Sequence, residues 1–179
     1  MEDNGYIDLY FGDESHFGLT PNVPYAWQMK EKQILLPAEK GKSLNVVGLM
    51  TRKNDLFFDI HEGTYNADTC ISFMDSFVAQ TVKKTVVILD NSSIHRSRKF
   101  KSKIEEWKEQ DVLIFFLPPY SPELNLIEIL WKRIKYQWIP LMPISVFKIS
   151  KNACRFCSIM WADYTTLYFR HYLIYAFIP

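Results

Sequence analysis

Three acidic residues lie where an active site for divalent cations could be assembled. Asp90 directly follows Thr85–Leu89, a short β-branched and aliphatic run typical of a strand buried on both faces. Asp13 follows Tyr6–Gly12, a second apolar run that predicts a strand. Open α/β sheets bind ligands beyond the C-terminal ends of their strands, so both acids are candidates for one site. Taken alone, the position of Asp13 favours a turn, because an acid after a glycine is ordinary turn chemistry.

The third acid, Glu128, falls in a helix predicted to begin at Ser121. Ser121 is a good N-cap, and Pro122 suits the first helical position. Glu128 lies at the edge of the apolar face of this helix, where its carboxylate could project along the sheet and not into bulk water. The residues of that face are Leu124, Ile127, Trp131, Ile134 and Trp138. The alternative for Glu128 is a surface pair with Lys132, and Glu123 in the first turn is better explained as a partner of the helix dipole.

Three carboxylates that converge without a counter-charge repel one another, and their pKa values rise. Divalent cations relieve this repulsion, and hard oxygen ligands suit Mg²⁺ or Mn²⁺. Two such ions, roughly 3.5–4 Å apart, can activate a water or a 3′-hydroxyl and stabilise the leaving oxygen of a phosphodiester. Together, Asp13, Asp90 and Glu128 therefore predict phosphoryl transfer on nucleic acid with two Mg²⁺ or Mn²⁺ and no organic cofactor.

The rest of the chain must supply the elements that position these acids. The apolar runs Leu44–Met50 and Leu56–His61 flank a short polar turn, which predicts an antiparallel hairpin and, with the first strand, a three-stranded antiparallel unit. Asn66 can cap an amphipathic helix that leads into the fourth strand. A second helix over Ser97–Gln110 leads to a last strand, Val112–Leu117. This order predicts an α/β fold whose mixed sheet gains two parallel strands through helical crossovers.

Composition fits one domain whose charge is nearly balanced. The chain has 179 residues, 48% of them hydrophobic, which is ample for a sizeable core. A net charge of +1 creates no global field, so a polyanion would have to be held by local basic patches. The candidate DNA-binding residues are Arg96, Arg98, Lys99, Lys101, Lys103, Lys132 and Lys135. A solvated helix face is the usual explanation for such a run, and its nearness to Asp90 is what favours phosphate binding.

Cysteine use and hydropathy point to a reducing compartment. Three cysteines argue against a disulfide framework, and the lone pair Cys154 and Cys157 lacks the further ligands of a zinc site. No N-terminal signal pattern is present. Charged residues interrupt the aromatic stretch Ile159–Pro179, which argues against a membrane span. The sequence therefore predicts a cytoplasmic protein.

Three segments resemble the signature blocks of mariner-like and related bacterial insertion-sequence transposases of the DDE superfamily. They are GDES at 12–15, ILDNSSIHRS at 88–97 and LPPYSPELNLIEILWKRIK at 117–135. The resemblance covers about residues 6–138 and implies an RNase H-like fold that cleaves DNA and transfers strands at transposon ends. It implies that Asp13, Asp90 and Glu128 are the metal-binding catalytic triad, and it selects Glu128 over Glu123. Leu126 stands where these families often have proline.

The resemblance carries further expectations about partners and domains. It implies transposon-end and target DNA as partners, a homodimer acting on paired ends, and the bacterial cytoplasm as the compartment. Such transposases also carry a helix-turn-helix segment, which a separate N-terminal polypeptide would supply if this chain is one product of a split reading frame. We expect a catalytic domain over residues 1–140 and a C-terminal extension over 141–179 that packs on it.

Alternatives and secondary residues complete the prediction. The chain could instead be a non-catalytic or decayed transposase derivative that binds DNA or protein, or an RNase H-like nuclease that cuts without joining. Asn91 and His95 are secondary site candidates, and His95 could contact the scissile phosphate or a water near the metals, or be structural. Asn125 could orient Glu128 by hydrogen bonding, or satisfy the backbone near the proline-rich turn.

Overall fold

A five-stranded mixed sheet with helices on both faces organises the chain. The computed structural model describes residues 1–18, 29–30, 43–119 and 121–138. The strands are β1 (Asp8–Phe17), β2 (Leu44–Thr51), β3 (Leu56–Glu62), β4 (Thr85–Leu89) and β5 (Val112–Phe116), and the helices are α1 (Ala67–Val78), α2 (Arg98–Glu109) and α3 (Ile127–Arg133). The sheet order is β3-β2-β1-β4-β5. β2 pairs antiparallel with both β1 and β3, whereas β4 pairs parallel with both β1 and β5. The predicted α/β architecture is confirmed.

Alternation along the strands divides the core into two layers. In β2, Val47 and Leu49 face α1 and α2, whereas Val46 and Met50 face α3. The crossover helices start where their caps predict. The Asn66 side chain accepts from two backbone N–H groups at the start of α1, and Ser97 accepts from one at the start of α2.

β1 runs further than the sequence predicts, and this changes the setting of Asp13. The strand continues past Gly12 to Phe17 because β2 pairs with it throughout, from Tyr10 opposite Thr51 to Phe17 opposite Leu44. The expectation of a turn at Asp13 is wrong. Its side chain projects from within a paired strand, which fixes its direction more firmly than a turn would.

The predicted helix from Ser121 is interrupted. Ser121 makes no side-chain capping bond, and Pro122–Leu124 forms only a 3₁₀ turn. Asn125 is then extended, with φ −97° and ψ 105°, and α3 begins at Ile127 before ending in a π-helical turn over Ile134–Trp138. The apolar spacing predicts one continuous helix, but the Asn125 side chain bonds to β1 instead of to its own turn, which breaks the helix there.

β4 and β5 are less buried than their sequences suggest. Val86 and Ile88 are only half-buried, and Phe115 at the sheet edge is 59% exposed. Helices α1 and α2 cover one face of these strands, whereas α3 packs over β1 and β2 on the other face.

The extension predicted over 141–179, including Cys154 and Cys157, lies outside the described residues. Within the described part of the chain, no helix is both long and apolar enough to cross a membrane.

Candidate active site

Asp13 is a partly buried carboxylate on the α3 side of β1. Its pKa is raised to about 8, mainly by burial and then by the negative charges of Glu128, Glu14 and Asp90 in that order, against a hydrogen bond from the Glu14 backbone. Residues from three separate elements therefore act on one carboxyl. Its proton is held at a pH where an exposed aspartate would be fully ionised.

Glu128 reaches this region because α3 sits close to the sheet. Buried Ile127 and Trp131 press against β2 at Gly48, which lies opposite Asp13 in the β1–β2 register. A Cβ at Gly48 would come within 3.0 Å of Ile127 Cδ1 and 3.2 Å of the Trp131 ring. The absence of a side chain at Gly48 therefore allows the close packing that brings Glu128 toward Asp13.

Asp90 follows β4 and is held by its own loop. Its Oδ1 accepts from the Ser92 backbone N–H at 3.1 Å and lies 2.9 Å from His95 Nδ1. The hydrogen bond from His95 is the main cause that lowers the pKa of Asp90, with burial opposing it. Asp90 is thus kept ionised, and its negative charge helps to keep the proton on Asp13.

His95 is buried and faces Asp90 rather than solvent. Only 2% of the residue is exposed, its ring packs at 5.1 Å from that of Phe100, and Nδ1 also lies 3.1 Å from Ser92 Oγ. Burial alone would lower the pKa of His95, but hydrogen bonds to Asp90 and Cys70 and the charge of Glu14 raise it to about 10. This setting favours a role in orienting Asp90 over direct contact with a DNA phosphate.

The other secondary candidates differ from each other. Asn91 is exposed on the loop after β4. The Asn125 side chain is buried and donates to the carbonyl oxygen of Gly12 at 3.0 Å, so it bonds to β1 and not to the carboxylate of Glu128.

Glu14 is a fourth acid near the site, and it follows the position where the sequence favoured a turn. It follows Asp13 on the paired strand and therefore points to the opposite face of the sheet. Burial raises the pKa of Glu14, His95 lowers it and Asp90 raises it, so Glu14 lies within electrostatic reach of both. A strand through Asp13 would have placed Glu14 on that face, but the sequence signal at Gly12 indicated a turn instead.

The acids are near enough to influence one another, but they do not form a ready ligand set. Among the described residues, no group of three His, Cys, Asp or Glu side chains is placed to hold a metal ion. Glu128 and Asp90 both lie within electrostatic reach of Asp13, and the assignment of the three acids as metal ligands stays a prediction.

The basic residues of α2 divide into two sets. Lys99 pairs with Asp68 at 2.8 Å, and Lys103 pairs with Asp75 at 3.2 Å, so both lysines tie α2 to α1. The remaining members of this run have exposed side chains; they are Arg96, Arg98 and Lys101. On α3, Lys132 is exposed, and beyond its end Lys135 Nζ lies 5.5 Å from the centre of the Phe17 ring.

Solved structures define the class of fold. The chain superposes on the catalytic domain of Mos1 mariner transposase with a TM-score of 0.60 at 10% identity, covering 89% of this chain and 76% of that one. It superposes on a Mos1 paired-end complex with Mn with a TM-score of 0.61 at 12% identity, covering 89% and 52%. The fold is the RNase H-like fold of these transposase cores.

Sequence comparison then gives the family. The family model described as DDE superfamily endonuclease matches residues 8–147, and the chain belongs to this family. It is also 24% identical over 130 residues to the insertion element IS630 uncharacterized 39 kDa protein of Shigella sonnei. That match covers 70% of this chain and 37% of the relative, so the chain spans about a third of that relative and about half of the Mos1 chain in the paired-end complex.

Proposed function

We propose that this chain is a DNA transposase catalytic domain that cleaves DNA and transfers strands at transposon ends. The observation that carries the proposal is that Asp13 lies within electrostatic reach of both Glu128 and Asp90, which come from distant parts of the chain. Asp13 lies in β1 and Asp90 directly follows β4, the adjacent parallel strand, in the fold that the chain shares with transposase cores. A cluster of acids with perturbed pKa values is a reasoned candidate for a functional site.

Asp13, Asp90 and Glu128 would hold the divalent cations, and their donor chemistry fits this role. All three offer hard carboxylate oxygens, and burial together with the neighbouring acids raises the pKa of Asp13, an effect that a bound cation would oppose. Two bound Mg²⁺ or Mn²⁺ ions would make a water or a 3′-hydroxyl a better nucleophile and stabilise the leaving oxygen. The Mos1 paired-end complexes have been solved with Mn and with Mg, which supports the choice of metal.

The protein's own residues prepare the site before any ion binds. The hydrogen bonds from Ser92 and His95 fix the orientation of Asp90 and keep it ionised. β1 holds Asp13 in a paired strand, and the close packing of α3 holds Glu128 beside it. Each acid is therefore placed by a different part of the fold.

DNA would be bound through its phosphates by the exposed cations beside this site. Arg96, Arg98 and Lys101 follow Asp90 closely and are exposed, whereas Lys99 and Lys103 are engaged with acids of α1. We expect the first three to contribute most to binding, with Lys132 and Lys135 extending the surface along α3.

The finer expectations follow from this function. Residues 1–140 would form the catalytic domain, with 141–179 as an extension packed on it. The active form would be a homodimer on paired DNA ends in the bacterial cytoplasm, with end recognition by a helix-turn-helix segment. A nuclease that cuts without joining, or a DNA-binding derivative without activity, would use the same fold.

Metal-dependent DNA cleavage tests the proposal. The chain is incubated with supercoiled plasmid and with duplexes copied from the ends of its own element, in Mg²⁺ or Mn²⁺. Wild type should nick both and form strand-transfer products with the end duplexes, whereas Asp90→Asn and Glu128→Gln should fall to background. Cleavage without joining would support the nuclease, and equal cleavage by Asp90→Asn would remove the site assignment.

A further inference from the structure

One buried hydrogen bond joins the two elements that carry Asp13 and Glu128. The Asn125 side chain, 3% exposed, donates through Nδ2 to the carbonyl oxygen of Gly12 at 3.0 Å. Gly12 directly precedes Asp13, and the backbone carbonyl of Asn125 accepts from the N–H of Glu128 at 3.1 Å. A single residue therefore links β1 to the start of α3 across 113 positions of sequence.

This bond occurs at the point where β4 no longer supports β1. The parallel register between the two strands ends at Phe11 and Ile88, one residue before Gly12. Asn125 adopts an extended backbone and interrupts the helix, and from that position its side chain reaches the strand. The contact therefore depends on a local break that the apolar pattern of the sequence does not require.

The other half of the Asn125 amide points to the same interpretation. Its Oδ1 is buried and has no hydrogen-bond partner among the described residues. A buried polar atom without a partner is destabilising, and a leucine of similar shape would fill the space without that penalty. The contribution of Asn125 that leucine could not make is the Nδ2 donor.

The Asn125 bond complements the apolar packing of α3. Helix α3 is only seven residues long, and Ile127 and Trp131 press it against the sheet at Gly48. The Asn125 bond adds a directional restraint at the N-terminal end of the same helix, next to Glu128.

We propose that Asn125 is a positioning residue whose hydrogen bond to Gly12 sets the separation of the Asp13 and Glu128 carboxylates for divalent cation binding. The inference rests on the proposed function of those two acids. Asn125 acts through the backbone of β1 and α3 and needs no contact with the cation or with DNA. Outer partners of metal ligands typically change metal affinity by about 10–100-fold, and this is the effect expected of Asn125.

Mn²⁺ affinity measured by calorimetry on the full chain tests the positioning role, with thermal unfolding recorded on each protein. Asn125→Ala removes the side chain, and Asn125→Leu keeps its shape while removing the donor. Asn66→Ala is the control, because it removes another asparagine side chain that makes hydrogen bonds, in this case as an acceptor at the start of α1. Asp13→Asn reports whether the measured binding belongs to the proposed site.

Wild type and Asn66→Ala should bind Mn²⁺ equally, although the control unfolds at a lower temperature. Both Asn125 variants should bind about tenfold or more weakly, and Asn125→Leu should do so with a melting temperature near that of wild type. If Asn125→Ala fails to fold, the Mn²⁺ affinity of Asn125→Leu alone tests the positioning role. Wild-type affinity in Asn125→Leu would overturn the positioning role and leave the proposed function standing. No binding by wild type, or equal binding by Asp13→Asn, would overturn both.

Discussion

The buried charge of Asp13 makes a quantitative prediction about stability. Its ordinary pKa of 3.8 is raised to about 8 in the fold, by burial first and then by neighbouring acids. Each pKa unit corresponds to about 1.36 kcal/mol, so ionised Asp13 destabilises the metal-free fold by at most about 6 kcal/mol above pH 8. Relaxation of the side chain toward solvent reduces the realised value to a few kcal/mol.

The sign follows from proton linkage. Between pH 3.8 and about 8 the folded state holds the Asp13 proton more tightly than the unfolded state. Stability due to this group is therefore full below pH 3.8, declines through that window and is constant above it. Asp13→Asn has no such titration, so the variant should match wild type near pH 4 and exceed it increasingly toward pH 8.

Thermal unfolding of metal-free protein from pH 4 to pH 9 measures this difference. For a chain of this size, each kcal/mol shifts the melting temperature by roughly 2–4 °C, so a gain of about 5–10 °C is expected for Asp13→Asn at pH 8. Asp8→Asn is the control, since Asp8 lies on the same strand in a surface pair with Lys83. A pH-independent difference, or a less stable Asp13→Asn at pH 8, would refute the reasoning.

Three further predictions concern packing and DNA contact. Gly48→Ala should cost about 1–3 kcal/mol in urea unfolding and weaken DNA cleavage, because its Cβ would push α3 outward; unchanged stability would contradict the packing argument. Lys101→Ala should weaken DNA binding and reduce the salt slope by about one, whereas Lys99→Ala, already paired in the fold, should change it less; the reverse order would contradict the surface assignment. Trp107→Phe should destabilise by about 1–3 kcal/mol in the same urea assay because it removes a part-buried 2.8 Å hydrogen bond to Asp75, and an unchanged stability would contradict a stabilising role for that bond.

Much of the scaffold could be predicted because its signals are local. A few neighbouring residues are enough to predict the hairpin from Leu44 to His61, the helix cap at Asn66 and the strand before Asp90. Helix α1 crosses from β3 to β4, so β4 is expected to run parallel to β3 and therefore to β1, as its pairing with β1 shows. The sequence predicted Asp13 and Asp90 as candidates for one site, and the pairing of β1 with β4 brings the two acids within electrostatic reach of each other.

The errors arose where a distant partner decides the local conformation. β1 continues through Asp13 because β2 pairs with it, and the residues near Gly12 do not by themselves indicate that pairing. The helix after Ser121 breaks because Asn125 bonds to β1. The basic face of α2 is partly neutralised by acids on α1, which a pattern confined to one helix does not reveal.

Whether Asp13, Asp90 and Glu128 share divalent cations can be measured by anomalous scattering from crystals grown with Mn²⁺. We expect anomalous peaks between these three carboxylates, and their loss in crystals of Asp90→Asn. Ordered Mn²⁺ held elsewhere in the chain, with the three carboxylates unligated at saturating metal, would contradict that expectation.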